Sequence, residues 1–113
     1  MSMKLSTRQV GDVTVIDAVG RITLGEGSSV FRETVKDLLG KGNKKILLNL
    51  AEVSYIDSSG IGELVSGYTS VSNAGGQLKL LKLTKRIQDL LQITKLYTVF
   101  EVFDDEATAL ATY

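Results

Sequence analysis

The chain contains no cysteine, no histidine and no proline, and its thirteen Lys and Arg residues are matched by thirteen Asp and Glu. Without cysteine and histidine it has no thiolate nucleophile, no imidazole base and none of the usual zinc ligands. Most familiar hydrolase triads are excluded on that ground, and neither a cofactor nor a metal is expected. The lack of cysteine leaves the redox compartment open, since a reduced cytosol and a disulfide-free secreted protein both permit it. A formal net charge of zero provides no field to hold a phosphate backbone or an anionic bilayer, so neither nucleic acid nor membrane is an expected partner. No apolar run approaches membrane-spanning length, and Met1-Ser2-Met3-Lys4 leads into an alternating pattern rather than the apolar core of a signal peptide. A cytoplasmic protein is the expectation. The absence of proline and of repeats leaves no linker or solenoid to find. With 113 residues, 43% of them hydrophobic, the chain suits one domain over residues 1–113, built on one core and monomeric when free.

Gly11-Asp12 separates two short β-prone runs, residues 4–10 and 13–19, and so predicts a hairpin. In the second run Val13, Val15, Asp17 and Val19 share one face and Thr14, Ile16 and Ala18 the other. Both faces are largely apolar, as in a strand inside a sheet. Residues 20–27 hold three glycines and read as a loop, after which Ser28 or Ser29 caps a helix bearing Phe31, Val35, Leu38 and Leu39 on one stripe. Gly40 and Gly42 end it. Residues 44–50 form a compact apolar strand, and Ile61, Leu64, Val65, Tyr68 and Val71 mark a second helix that stops at Gly75-Gly76. Residues 77–83 alternate Leu78 and Leu80 with Lys79 and Lys82 as a further strand; Thr84 then caps a helix with Ile87, Leu90 and Leu91. Residues 98–103 are β-prone, and Asp104-Asp105-Glu106 places acid at the positive end of a final Ala-rich helix. The order β-β-α-β-α-β-α-β-α predicts an α/β sandwich, with a mainly parallel or mixed sheet of four or five strands and about four helices.

The richest segment is Ser54-Tyr55-Ile56-Asp57-Ser58-Ser59-Gly60-Ile61-Gly62, where an apolar strand stops in hydroxyls and glycines before a helix begins. Hydroxyls there lie beside the unpaired N–H groups of a first helical turn, a place that accepts added negative charge. Asp57 either caps the helix or orients the Ser58 hydroxyl or a phosphate-bound metal in a complex; capping is preferred, because it satisfies N–H groups whatever the function. Ser59 is the N-cap or an alternative acceptor. Gly60 and Gly62 either let a partner's backbone approach or only permit a tight turn. They lack the spacing of a nucleotide-binding loop. Tyr68, at helical spacing from Leu64, reads as core.

The runs Ile46-Leu47-Leu48-Asn49-Leu50 and Val53 through Gly62, followed by Asn73-Ala74-Gly75-Gly76 and a Leu-rich strand, resemble the STAS-domain anti-sigma factor antagonists of bacteria. The match is strongest over residues 46–83, while residues 20–27 and the last helix agree only in length and pattern. The resemblance implies a non-enzymatic phosphoprotein switch. Its unphosphorylated form would bind an anti-sigma factor serine kinase of GHKL type and free the sigma factor. Phosphorylation at the position of Ser58 would end that binding, and a PP2C-type phosphatase would restore it. Asp57, Ser58, Ser59, Gly60, Ile61 and Gly62 would form the partner-binding segment, with the loop from Thr23 to Ser29 lining the same surface; whether the wider loop over residues 20–27 touches the partner is left open by the sequence. The alternative is a STAS scaffold that is not phosphorylated, in a stress-signalling complex or a lipid transport system.

Overall fold

The computed structural model describes residues 3–23 and 25–113. Met1, Ser2 and Leu24, and with them part of the expected leader reading and of the 20–27 loop, lie outside the described residues. Strands β1 (Lys4–Val10), β2 (Val13–Ile22), β3 (Lys45–Ile56), β4 (Gln77–Leu81) and β5 (Val102–Phe103) form one sheet in the order β1-β2-β3-β4-β5. β1 runs antiparallel to β2, and every other pair is parallel. Helices α1 (Glu26–Gly40), α2 (Ser58–Asn73) and α3 (Lys85–Thr94) make the crossovers, a short 3-10 turn occupies Leu96–Thr98, and α4 (Glu106–Leu110) follows β5. The expected α/β order, with a mixed sheet of five strands, is the one observed.

Strand alternation sorts the core into two layers. Ile16, Ala18, Ile46, Leu48, Leu78 and Leu80 face Phe31 and Val35 of α1, Leu64 and Val71 of α2, and Ile87 and Leu91 of α3. Val13, Val15, Leu47 and Leu81 face Ala109 of α4. Each fully buried aliphatic side chain contributes on the order of 1.5–3 kcal/mol, so the three-helix face dominates stability. Tyr68 packs against it with an edge-on contact to Phe100, ring centres 5.4 Å apart. Lys79, expected on a polar face, is buried: its ammonium donates to the Thr112 hydroxyl at 2.8 Å and lies 4.7 Å from the centre of the Tyr113 ring. Among the described residues no helix is long and apolar enough to cross a membrane.

Several boundaries differ from the sequence expectation. β2 does not stop at Val19 but continues through Gly20, Arg21 and Ile22, slipping register twice before Ile22 pairs with Ile56. A glycine at φ 116° absorbs that irregularity, which is why it reads as a loop in the sequence. β3 joins the compact run of residues 44–50 to the strand expected before Asp57-Ser58-Ser59 and ends at Ile56, outlasting β4, whose pairing with it ends at Asn49 opposite Leu81. α1 begins at Glu26 behind Gly25, so neither Ser28 nor Ser29 is its cap. The Ser28 hydroxyl donates instead to the Thr23 carbonyl at 3.0 Å. β4 ends at Leu81, because Lys82 turns into the left-handed region at φ 57°. Of the β-prone run 98–103 only Val102 and Phe103 pair, with Leu80 and Leu81. Thr84 caps α3 as expected, and within the acidic run before α4 Asp105 is the cap, accepting from the Thr108 N–H at 2.9 Å.

Candidate functional site

The junction between β3 and α2 stands at the carboxyl edge of the sheet, where crevices of parallel α/β sheets open. Ile56 is the last strand residue, and Asp57 keeps extended geometry at φ −104°, ψ −175°. Its N–H donates to the Ile22 carbonyl at 3.3 Å, which ties the junction to the end of β2. Its carbonyl accepts the first intrahelical bond, from Ile61 at 2.9 Å, and its carboxylate accepts from the Gly60 N–H at 2.8 Å. Asp57 is therefore the N-cap, and Ser59 is not.

Ser58 is the first residue of α2 and its side chain is exposed; Ser59 beside it is half-buried. The exposed hydroxyl sits where a helix leaves backbone N–H groups unmatched by its own carbonyls and carries partial positive charge. One turn on, Glu63 is held by Arg32 of α1, with N–O distances of 2.7 and 3.3 Å. That hydrogen-bonded carboxylate raises the Arg32 pKa above its ordinary value. The charge of Glu63 is thus matched by that of Arg32.

The two glycines separate. A Cβ on Gly60 would collide with the Ile22 carbonyl oxygen and lie 2.6 Å from Cγ1 of Ile56. Gly60 is buried because α2 starts in contact with the end of β2, so its close approach is internal. Gly62 is exposed, has an ordinary helical backbone, and would place a Cβ in open space. Among the described residues nothing requires glycine there. Ile61 is buried in the three-helix core. The outward face of the segment is therefore Ser58 and Gly62, with Asp57 and Ser59 half-exposed beside them.

Residues 20–23 of the expected loop flank this face through the Ile22 contacts. Gly27 brings α1 to the same edge, where a Cβ would lie 2.7 Å from the Arg21 carbonyl oxygen. Ser54 is anchored by its hydroxyl, which donates to the Gly20 carbonyl at 3.2 Å. One feature escapes a reading by sequence spacing: Tyr55 carries Arg21 over its ring at 4.9 Å and Arg86 at 4.3 Å. The alternation of β3 offers no signal for Arg86, which arrives on α3 from thirty-one positions along the chain.

Known proteins resemble this chain in sequence and fold. The TM1081 homolog of Thermotoga neapolitana is 37% identical over 86 residues, covering 75% of this chain and 76% of its own. The anti-sigma-B factor antagonist of Bacillus subtilis is 29% identical over 102 residues, covering 90% of this chain and 92% of its own. Among solved structures, that of TM1081 from Thermotoga maritima superposes with a TM-score of 0.88 at 28% identity, over 96% of this chain and 92% of that one. The model of the STAS domain matches residues 4–109, from the start of β1 into α4. The chain belongs to the STAS domain family.

Proposed function

We propose that this protein is an anti-sigma factor antagonist switched by phosphorylation at Ser58. In its unphosphorylated form it binds an anti-sigma factor serine kinase of GHKL type, which then releases its sigma factor. The name of the Bacillus subtilis relative supports the general role. The observation that carries the finer reading is the exposed Ser58 hydroxyl at the first position of α2, directly after the Asp57 cap. A kinase reaches it without unfolding anything.

Phosphorylation adds about −1.5 to −2 charges and three strong acceptors, which a helix N-terminus accommodates with little strain. The fold persists and the contact surface changes. Charge and bulk at Ser58 oppose docking of the partner around Asp57, Ser58, Ser59 and Gly62, with Gly60 and Ile61 holding the segment in place from beneath. A docking loss of ~3 kcal/mol weakens binding by roughly a hundredfold, a scale that one desolvated and unpaired charge reaches. A PP2C-type phosphatase resets the switch. Ser58 is a substrate in this account, and the phosphoryl-transfer machinery belongs to the kinase.

Incubation with the anti-sigma factor kinase and ATP is expected to add one phosphate by intact mass, and Ser58→Ala to abolish the addition. Undiminished phosphorylation of the alanine variant would move the site elsewhere. No phosphorylation of the wild-type chain would favour the docking-only scaffold.

A further inference from the structure

The four arginines fall into two kinds. Arg8 holds the carboxylates of Asp17 and Glu106, and Arg32 holds that of Glu63. Arg21 and Arg86 instead lie over Tyr55, and among the described residues neither has a carboxylate within salt-bridge distance. The ring's negative face attracts each guanidinium. Two positive charges are thereby held 4.9 and 4.3 Å from the centre of one ring, and an acid bound at that side chain would offset them. A guanidinium with its face on a ring also keeps its edge N–H donors for a planar, two-oxygen acceptor.

The placement of the stack gives it a use. Arg21 stands opposite Tyr55 in the β2–β3 register, one residue before the Ile22 that bonds Asp57. Tyr55 precedes Ser58 by three positions. Arg86 lies in the first turn of α3, which reaches Tyr55 beside the length of β3 that β4 leaves unpaired. All three side chains therefore gather at the carboxyl edge from which α2 starts.

We propose that Arg21 and Arg86, held on Tyr55, form a carboxylate-recognition site within the kinase-docking surface, taking an Asp- or Glu-bearing segment of that partner. This rests on the antagonist reading of Ser58. A nucleic acid is a poor fit, because two cations on a chain of zero net charge release few counterions. An acidic partner segment also gives the phosphate something to act on: the added negative charge at Ser58 offsets the positive charge of the two arginines and repels that segment.

The test is calorimetric titration of the purified kinase that phosphorylates this chain, using wild type, the double variant Arg21→Gln with Arg86→Gln, and a control. The control, Lys41→Gln with Lys45→Gln, removes two positive charges at the opposite edge of the sheet, near the start of β3. The arginine variant is expected to unfold like wild type and to bind about ten- to a hundredfold more weakly at low salt, with a flatter dependence on salt. The lysine control is expected to keep wild-type affinity. Equal affinity of wild type and the arginine variant, or an equal loss in the lysine control, overturns the proposal while leaving the antagonist reading intact. Absence of any wild-type binding overturns both.

Discussion

Two glycines two positions apart do different work at the start of α2, and single substitutions separate them. Gly60→Ala drives a methyl group into the Ile22 carbonyl and the Ile56 side chain. Overpacking of that kind costs on the order of 1–3 kcal/mol, at the upper end here because one obstacle is backbone. Gly62→Ala enters open space on an exposed helical turn and is expected to stabilise the chain by about 0.5–1 kcal/mol. Urea midpoints at neutral pH give both signs. Equal destabilisation by the two substitutions would contradict the assignment of Gly60 to internal packing and Gly62 to the outward face. Asp57 and Ser58 were legible as cap and exposed hydroxyl because an acidic residue before a periodic apolar run marks a helix start. The division of labour between the glycines was not, since it depends on where β2 ends.

At the scale of elements, the sheet positions the site by letting β2 and β3 run past their neighbours. The β2 part of that overrun was hidden in the sequence by Gly20, a turn signal that a register slip accommodates inside a strand, whereas the end of β3 at Ile56 was marked by the hydroxyls and glycines that follow it. The start of α1 was hidden for a related reason: Gly25 offers no side-chain oxygen, so the nearby serines were the visible caps. On the far side, Arg8 of β1 clamps β2 and α4 through Asp17 and Glu106. Hydrogen bonds from Arg8 hold both carboxyls below their ordinary pKa values, with Asn49 adding to the effect on Asp17. A depressed folded pKa contributes stability that is complete above the unfolded value, near pH 4, and is lost as pH falls through the folded one. Acidification below about pH 4 should therefore destabilise wild type more steeply than Arg8→Gln. The difference is modest because the arginine side chain is 41% exposed. Urea midpoints followed from neutral to acidic pH measure this, and parallel curves for the two proteins would contradict it.

For the whole molecule, the architecture separates a stable body from a changeable edge. Three helices bury the main core on one face, and α4, with the Thr112 and Tyr113 contacts to Lys79, closes the other. Fold class and element order were readable from periodicity alone, because crossover helices and short strands carry distinct hydrophobic spacings. The arginine stack was not, since it depends on α3 docking beside the overrun of β3. In the proposed switch, phosphorylation at the exposed first residue of α2 alters what the edge presents and leaves the body unchanged. The most direct test is calorimetric titration of the anti-sigma factor kinase with this chain phosphorylated at Ser58 and with the same chain unphosphorylated, thermal unfolding being recorded for both. The account predicts matching unfolding and an affinity roughly a hundredfold weaker for the phosphorylated chain; equal affinities would contradict it.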